Sequence, residues 1–334
     1  EEVSGYPAPR KRHRKVPFPY VPTRKTKMDI FLQQIVNGLV QGSIYALVAL
    51  GYTMVYGIMG LINFAHGEVV MIGTLVTITV AGSLIKAGMP VALAGLAGLS
   101  ASVLVCMALG WGLERIAYRP LRNAPRLTPL ITAIGMSIVL QNLAMMIWGR
   151  NYLTFPALLP KINFEVAGAH FTFIQVVIVL VSAATMGGLL ALIYRTKLGM
   201  AMRATAQNPA VASLMGVNIN RVIAAAFVIG SALGALAGVM VGTYYEIAHY
   251  QMGFMLGLKA FTAAVLGGIG NLAGAMLGGL LLGLIEALGA GYIGDLTGGF
   301  LGSHYQDIFA FIVLIVVLMF KPSGLFGEKT GDRA

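Results

Sequence analysis

The chain has 334 residues, 57% hydrophobic and only 10% charged, with mean hydropathy +0.82 and a formal net charge of +11. A soluble domain carries about 25% charged residues, so the chain lies outside that class. Apolar runs long enough for a helix to cross ~30 Å of hydrocarbon recur along it, and the short alternating segments of a membrane β-barrel do not dominate.

The first 27 residues hold eight Lys/Arg against two Glu, a net of +6 out of +11. This proline-rich arm, "PRKRHRKVPFPYVPTRKTK", reads as a solvated, disordered extension. Binding of nucleic acid or anionic lipid is its alternative reading, and no nucleic-acid partner is expected. Met28 opens sequence of another character and reads as the original start. The apolar region after it is too long for a signal-peptide core.

Apolar segments then cover about 30–59, 61–85, 89–113, 127–148, 171–194, 222–245, 258–289 and 305–320. Two loops between them are basic. One holds Arg115, Arg119, Arg122 and Arg126; the other, residues 195–221, holds Arg195, Lys197, Arg203 and Arg221. The positive-inside rule places both loops, and Lys321, in the cytoplasm. An even number of passes must then separate Arg221 from Lys321, so one of the three visible runs is broken or doubled. The glycine-rich "LKAFTAAVLGGIGNLAGAMLGG" within 246–289 is the expected break. A cytoplasmic arm would likewise require an even count over 30–113, with "GLINFAHGE" as the break. The expected fold is an all-α polytopic membrane protein of about eight or more spans, with broken or re-entrant segments and pseudo-repeat halves.

The first break carries Asn63, His66 and Glu68. A charge at the bilayer centre costs about 2.5–3.5 kcal/mol on insertion scales, so such groups mark cavities or packed interfaces. In a continuous helix His66 and Glu68 would lie about 200° apart, whereas Asn63 and His66 share a face. The three residues therefore either line a cavity in non-helical backbone or serve a plainer purpose, with Asn63 capping a helix and Glu68 near its positive end. Lys259, Thr262 and Asn271 are the expected counterparts in the second half, and Glu286 is a further intramembrane charge.

Gly230, Gly234, Gly238 and Gly242 recur every fourth residue and form a smooth ridge for close helix contact. Cys106, the single cysteine, excludes an intramolecular disulfide and reads as a small buried hydrophobe. No H-E-x-x-H motif and no Gly-Lys dipeptide occur, and "HGE" lacks the one-turn spacing of two metal ligands, so neither a zinc metalloprotease site nor a phosphate loop is encoded. No metal or cofactor is expected on this chain.

The second basic loop has helical grammar. Asn208-Pro209 starts a short helix over 209–215 that Gly216 ends. Ala206, Ala210 and Ala212 would let it sit deep in a partner's groove, with Leu214 and Met215 as apolar anchors and Arg203 and Gln207 leading into it.

Together "GLINFAHGEVVMIG", "ERIAYRPLR", "LGMAMRATAQNPAVASLMGVNINRVIA", "LKAFTAAVLGGIGNLAGAMLGG" and "KPSGLFG" resemble the LivH-type permeases of branched-chain amino acid ABC importers. The resemblance runs from about residue 28 to 327, leaving the arm and the tail 328–334 outside. It implies a bacterial inner-membrane subunit that translocates branched-chain or related hydrophobic amino acids. It implies pairing with a LivM-type permease, two cytoplasmic ATPases that carry ATP-Mg, and a periplasmic amino-acid-binding protein. Residues 203–216 match the family's ATPase-coupling region. A permease for urea or another small amide is the alternative, and a secondary transporter or channel stands behind it.

Overall fold

A computed structural model describes residues 27–122, 124–125, 127–166, 168–297 and 305–327. Residues 1–26 of the basic arm, Arg126 and the tail 328–334 lie outside the described residues. The chain folds as α1 (Lys27–Met59), α2 (His66–Lys86), α3 (Val91–Gly112), α4 (Leu127–Trp148), β1 (Leu153–Thr154), β2 (Asn163–Val166), β3 (Ala169–Thr172), α5 (Phe173–Arg195), α6 (Lys197–Gln207), α7 (Pro209–Leu214), α8 (Ile219–Tyr245), β4 (Ile247–Ala248), α9 (Met252–Gly267), α10 (Leu272–Leu296) and α11 (Gln306–Phe320). A π turn, Leu113–Tyr118, and a 3-10 turn, Arg119–Leu121, extend α3. Among the described residues seven helices are long and apolar enough to cross a membrane, and two shorter apolar helices accompany them. The short strands pair antiparallel, β1 with β4 and β2 with β3.

Local chemistry sets many boundaries. Thr172 begins α5 with a capping box closed by Gln175, and Thr196, Asn208, Asn218 and Asn271 cap α6, α7, α8 and α10 through their side chains. Glycine-lined contacts then fix how the long helices lie. Gly38 and Gly42 of α1 rest on Leu284 and Leu280 of α10, and Gly279 and Gly283 of α10 rest on Ala46 and Gly42. The two helices are therefore antiparallel at close range.

One end of the bundle carries the β2–β3 hairpin. There the His170 N–H donates to Gln33 near the start of α1 (2.9 Å). The other end carries α6 and α7, the Arg115–Arg122 turn and the α9–α10 turn, where Gly57 lies beside Gly270. The positive-inside rule assigns this second, basic end to the cytoplasm. Helices α1, α2 and α3 make three passes between the ends, so α1 enters from the hairpin end. The even count that a cytoplasmic arm would impose on 30–113 is not what the chain does.

Both breaks are built from backbone that only turns can supply. After Met59 the chain turns at Gly60 (φ +65°) and runs back up as irregular structure to His66. His66 begins α2 beside Gly51, about 12 Å up α1 by helical rise. The first turn of α2 therefore lies inside the bundle. In the second half α8 ends at Glu246 in the left-handed region (φ 59°), and α9 begins after β4. Residues 246–289 divide at a tight turn, Gly268–Asn271, with Gly268 and Gly270 at positive φ. The sixteen-residue α9 extends further back than the apolar run 258–289 suggested.

The first turns of α2 and α9 face each other, whereas the Gly268–Asn271 turn lies at the basic end. A Cβ on Gly67 would fall onto the Gly253 carbonyl oxygen and lie 2.9 Å from the Gly257 Cα, so the first turns of α2 and α9 cross backbone to backbone. The surrounding packing repeats with inversion. α1 lies on α10 and α8 on α3; α1 touches α9 and α8 touches α2; α2 pairs with α3 and α9 with α10. Gly51 of α1 and Gly230 of α8 meet where the halves cross. Since α1 and α8 run in opposite directions, α1–α3 and α8–α10 form an inverted repeat, the architecture that places transport sites near the midplane.

Candidate functional site

Glu68 occupies the first turn of α2 at the central crossing and is fully buried. Its Oε1 accepts hydrogen bonds from Ser137 Oγ (3.0 Å) and Gln141 Nε2 (2.8 Å), both on α4. Its Oε2 has no hydrogen-bond partner among the described residues and lies against Gly253, where an added Cβ would come within 2.6 Å of it. The carboxyl is thus shielded from lipid by three helices. His66 is buried edge-on to Tyr52 (5.0 Å between centroids), in space that Gly51 leaves free.

Asn63 does not cap α2. The N-cap position is Ala65, which makes no side-chain cap, while Asn63 Oδ1 accepts from the Tyr118 hydroxyl (2.7 Å) and its carbonyl accepts from His66 N (3.0 Å). Tyr118 is the last residue of the π turn, so this bond ties the irregular 60–65 segment to α3's extension. The plainer reading of Glu68 near the positive end of a helix does describe its position.

The second-half residues do not join this cluster. Lys259 Nζ reaches Glu286 Oε2 (3.2 Å) and Asp307 Oδ1 (2.7 Å), and the Tyr45 hydroxyl donates to Glu286 Oε2 (2.7 Å). These groups join α1, α9, α10 and α11. Thr262 bonds back to the Leu258 carbonyl of its own helix (2.9 Å). Asn271 accepts from Gly274 N (3.0 Å) and donates to the Phe326 carbonyl (2.9 Å), so it caps α10 and clamps the chain's last described residues over the α9–α10 turn. Of the six residues expected at the two breaks, Glu68 is the one bonded to polar side chains that line a groove.

That groove, about 600 Å³, lies between α4 and α9. Ile134, Ser137 and Gln141 line one wall and Phe254, Met255 and Leu258 the other, with Phe64 and Gln251 also present. Sequence reasoning missed Ser137 and Gln141. Their one-turn spacing in an apolar helix was the available signal. Among the described residues no cluster of three or more His, Cys, Asp or Glu side chains could hold a metal ion.

The glycine ridge of α8 packs inward along its whole length. Gly230 meets the Gly51 backbone, Gly234 meets His66, Val69 and Val70, Gly238 meets the Val70 carbonyl and Thr74, and Gly242 meets Phe155 and Thr74. The Thr74 hydroxyl donates to the Gly238 carbonyl (2.7 Å), which requires this approach.

At the basic end, Asn208 Oδ1 accepts from Val211 N (3.1 Å), Pro209 opens α7, and Gly216 turns away at φ +84°. Leu214 and Met215 are 85% and 80% exposed. Val211, also exposed, extends the same apolar surface. Ala212 corrects the sequence-based expectation: it is buried, 4% exposed, beneath the helix rather than offered to a partner. Ala206, Gln207 and Ala210 are exposed, and the Arg203 guanidinium stacks over Tyr194 (5.2 Å to the ring centroid).

Inverted halves, two helices that begin inside the bundle and a short helix with exposed apolar side chains at the basic end define a membrane transport subunit. The chain belongs to the family described as branched-chain amino acid transport system / permease component, whose profile matches residues 34–318. It is a transport component and not an enzyme. It is similar to the high-affinity branched-chain amino acid transport system permease protein BraD of Pseudomonas aeruginosa, at 49% identity covering 91% of this chain and 98% of the relative. The corresponding permease protein LivH of Escherichia coli K12 is 46% identical, covering 91% of this chain and 97% of its own. Among solved structures, a chain of PsaBC from Streptococcus pneumoniae in complex with Fab aligns with a TM-score of 0.43 at 16% identity, covering 89% of this chain and 92% of that chain.

Proposed function

We propose that this chain is the permease subunit of an ATP-driven importer for branched-chain amino acids, placed in the bacterial inner membrane. A homologous LivM-type permease pairs with it, and a periplasmic binding protein delivers the amino acid. Two cytoplasmic ATPases hydrolyse ATP-Mg, and one of them docks on α6–α7. Family membership and the names of the relatives support the solute class. The observation that carries the coupling is a rigidly capped six-residue helix holding Leu214 and Met215 out at the basic end. Exposed apolar side chains on a short, pre-ordered helix suit insertion into a partner's groove. The first break, with Asn63, His66 and Glu68, belongs in this reading to the wall of the translocation path. Lys259, Thr262 and Asn271 support the second half.

The test uses the reconstituted assembly with its ATPases and binding protein. Leu214→Glu and Met215→Glu should abolish ATPase association and uptake while leaving the permease's thermal midpoint unchanged. Wild-type association and uptake in both variants would refute docking through α7. Uptake of L-leucine in competition with urea separates the amino-acid reading from the small-amide one. ATP-independent uptake would point to a secondary transporter.

A further inference from the structure

The groove between α4 and α9 holds a polar pair that energy coupling does not explain. Ser137 and Gln141 stand one turn apart on α4, and both line the groove. Each donates to Glu68 Oε1, behind the groove wall. A carboxyl oxygen in this role only accepts, so Gln141 must present its amide nitrogen to it. The same nitrogen also lies 3.4 Å from Ser137 Oγ. The Gln141 Oε1 oxygen and a lone pair of Ser137 Oγ are thereby left as acceptors, and no described residue takes them up.

We propose that this groove is a subsite for a zwitterionic amino acid with an apolar side chain. Its ammonium group would be held by Gln141 and Ser137, and its side chain would lie against Ile134, Phe254 and Met255. Glu68 then acts as a positioning residue, fixing the two donors so that acceptors face the solute. The proposal rests on the importer reading and names where within this chain the solute pauses.

Four observations favour this occupant. The groove's volume of about 600 Å³ lies in the range of small-molecule sites, and its walls are chiefly apolar. Its polar atoms on α4 are acceptors backed by a fully buried carboxyl, which suits a cation rather than an anion. Gln251, at the N-cap of α9, lines the same groove and makes no side-chain cap. Met252 N–H already donates to the His249 carbonyl (3.1 Å), so the Gln251 amide is the donor left there for a carboxylate. Finally, Glu68 Oε2 is buried without a partner against Gly253 in that same first turn, so a carboxyl only half satisfied by described residues stands directly behind the groove wall. A lipid acyl chain would satisfy the walls and leave the polar pair unused. Urea would bond the amides and gain nothing from Ile134, Phe254 and Met255.

The experiment uses the assembled transporter in liposomes and L-photo-leucine, a diazirine analogue, as the probe. Irradiation should label peptides of α4 and α9. Excess L-leucine should suppress the label, and 4-methylpentanoate, which lacks the ammonium group, should not. Gln141→Leu should lower L-leucine uptake roughly tenfold, as expected for one lost hydrogen bond to a charged group, with ATPase activity retained. Met255→Trp fills the groove without touching the Glu68 bonds and should have the same effect, so a folding defect at Gln141 cannot hide the answer. Asn142→Leu, at an exposed position bonded to its own helix, should leave uptake unchanged. If the wild-type assembly imports no L-leucine, the importer reading itself falls. If it does import, label elsewhere, label displaced equally by 4-methylpentanoate, or normal uptake by Met255→Trp overturns the subsite alone.

Discussion

Replacing Gly238 with alanine should destabilise the fold, whereas the same change at Gly234, one turn earlier on the same ridge, should not. A Cβ at position 238 would fall onto the Val70 carbonyl oxygen, 2.9 Å from Thr74 Oγ1 and 3.1 Å from Thr74 N. Two of these atoms are backbone of α2 and cannot rotate aside. Overpacking of this kind costs about 1–3 kcal/mol. Parting the helices also weakens the 2.7 Å bond from Thr74 to the Gly238 carbonyl, worth about 1 kcal/mol. Alanine recovers about 0.5–1 kcal/mol of helix propensity, which leaves a net loss of roughly 1–3 kcal/mol. At Gly234 the nearest atoms would be His66 Cε1 and Val69 Cγ1 at 3.5 Å, ordinary contact distances, so only the propensity gain remains. Cys106 is the single cysteine and is fully buried between α2 and α3, so a thiol-reactive fluorogenic dye reports unfolding directly. The midpoints of the two variants should differ by roughly 2–6 °C, with Gly238→Ala the lower. Equal midpoints, or the reverse order, would refute the account of the ridge as a backbone-contact surface.

Lys259→Met should leave Glu286 and Asp307 without their shared cation and cost about 3–5 kcal/mol, seen as loss of folded protein after extraction. Adding Glu286→Leu should restore part of the yield, and no recovery would count against pairing as the reason for these charges. Tyr118→Phe removes the donor to Asn63 and should cost about 1–2 kcal/mol, with faster amide exchange confined to residues 60–65. Unchanged exchange there would mean that the π turn does not hold the first break.

Much of the architecture can be read from local chemistry. The membrane class follows from recurring apolar runs. The second break was legible in the glycines at 267, 268, 270 and 274, two of which do adopt positive φ. The short helix α7 was legible from Asn208-Pro209 and Gly216, because cap, proline and glycine act within one turn of the backbone they shape. The glycine ridge was legible for a similar reason, since spacing by four defines a helix face wherever the partner lies. The identity of each partner left no such trace. Glu68 meets Ser137 and Gln141 some seventy positions away, and Lys259 meets Asp307 on a helix that no motif linked to it. Ala212, which the alanine pattern offered to a partner's groove, is instead covered by its own chain. Such pairings depend on how far α2 starts up the side of α1, and glycine contacts between distant segments set that depth. Caps and periodicity fix a helix about its own axis; its height against its neighbours comes from the fit of whole surfaces, and in this chain that height puts Glu68 behind the groove.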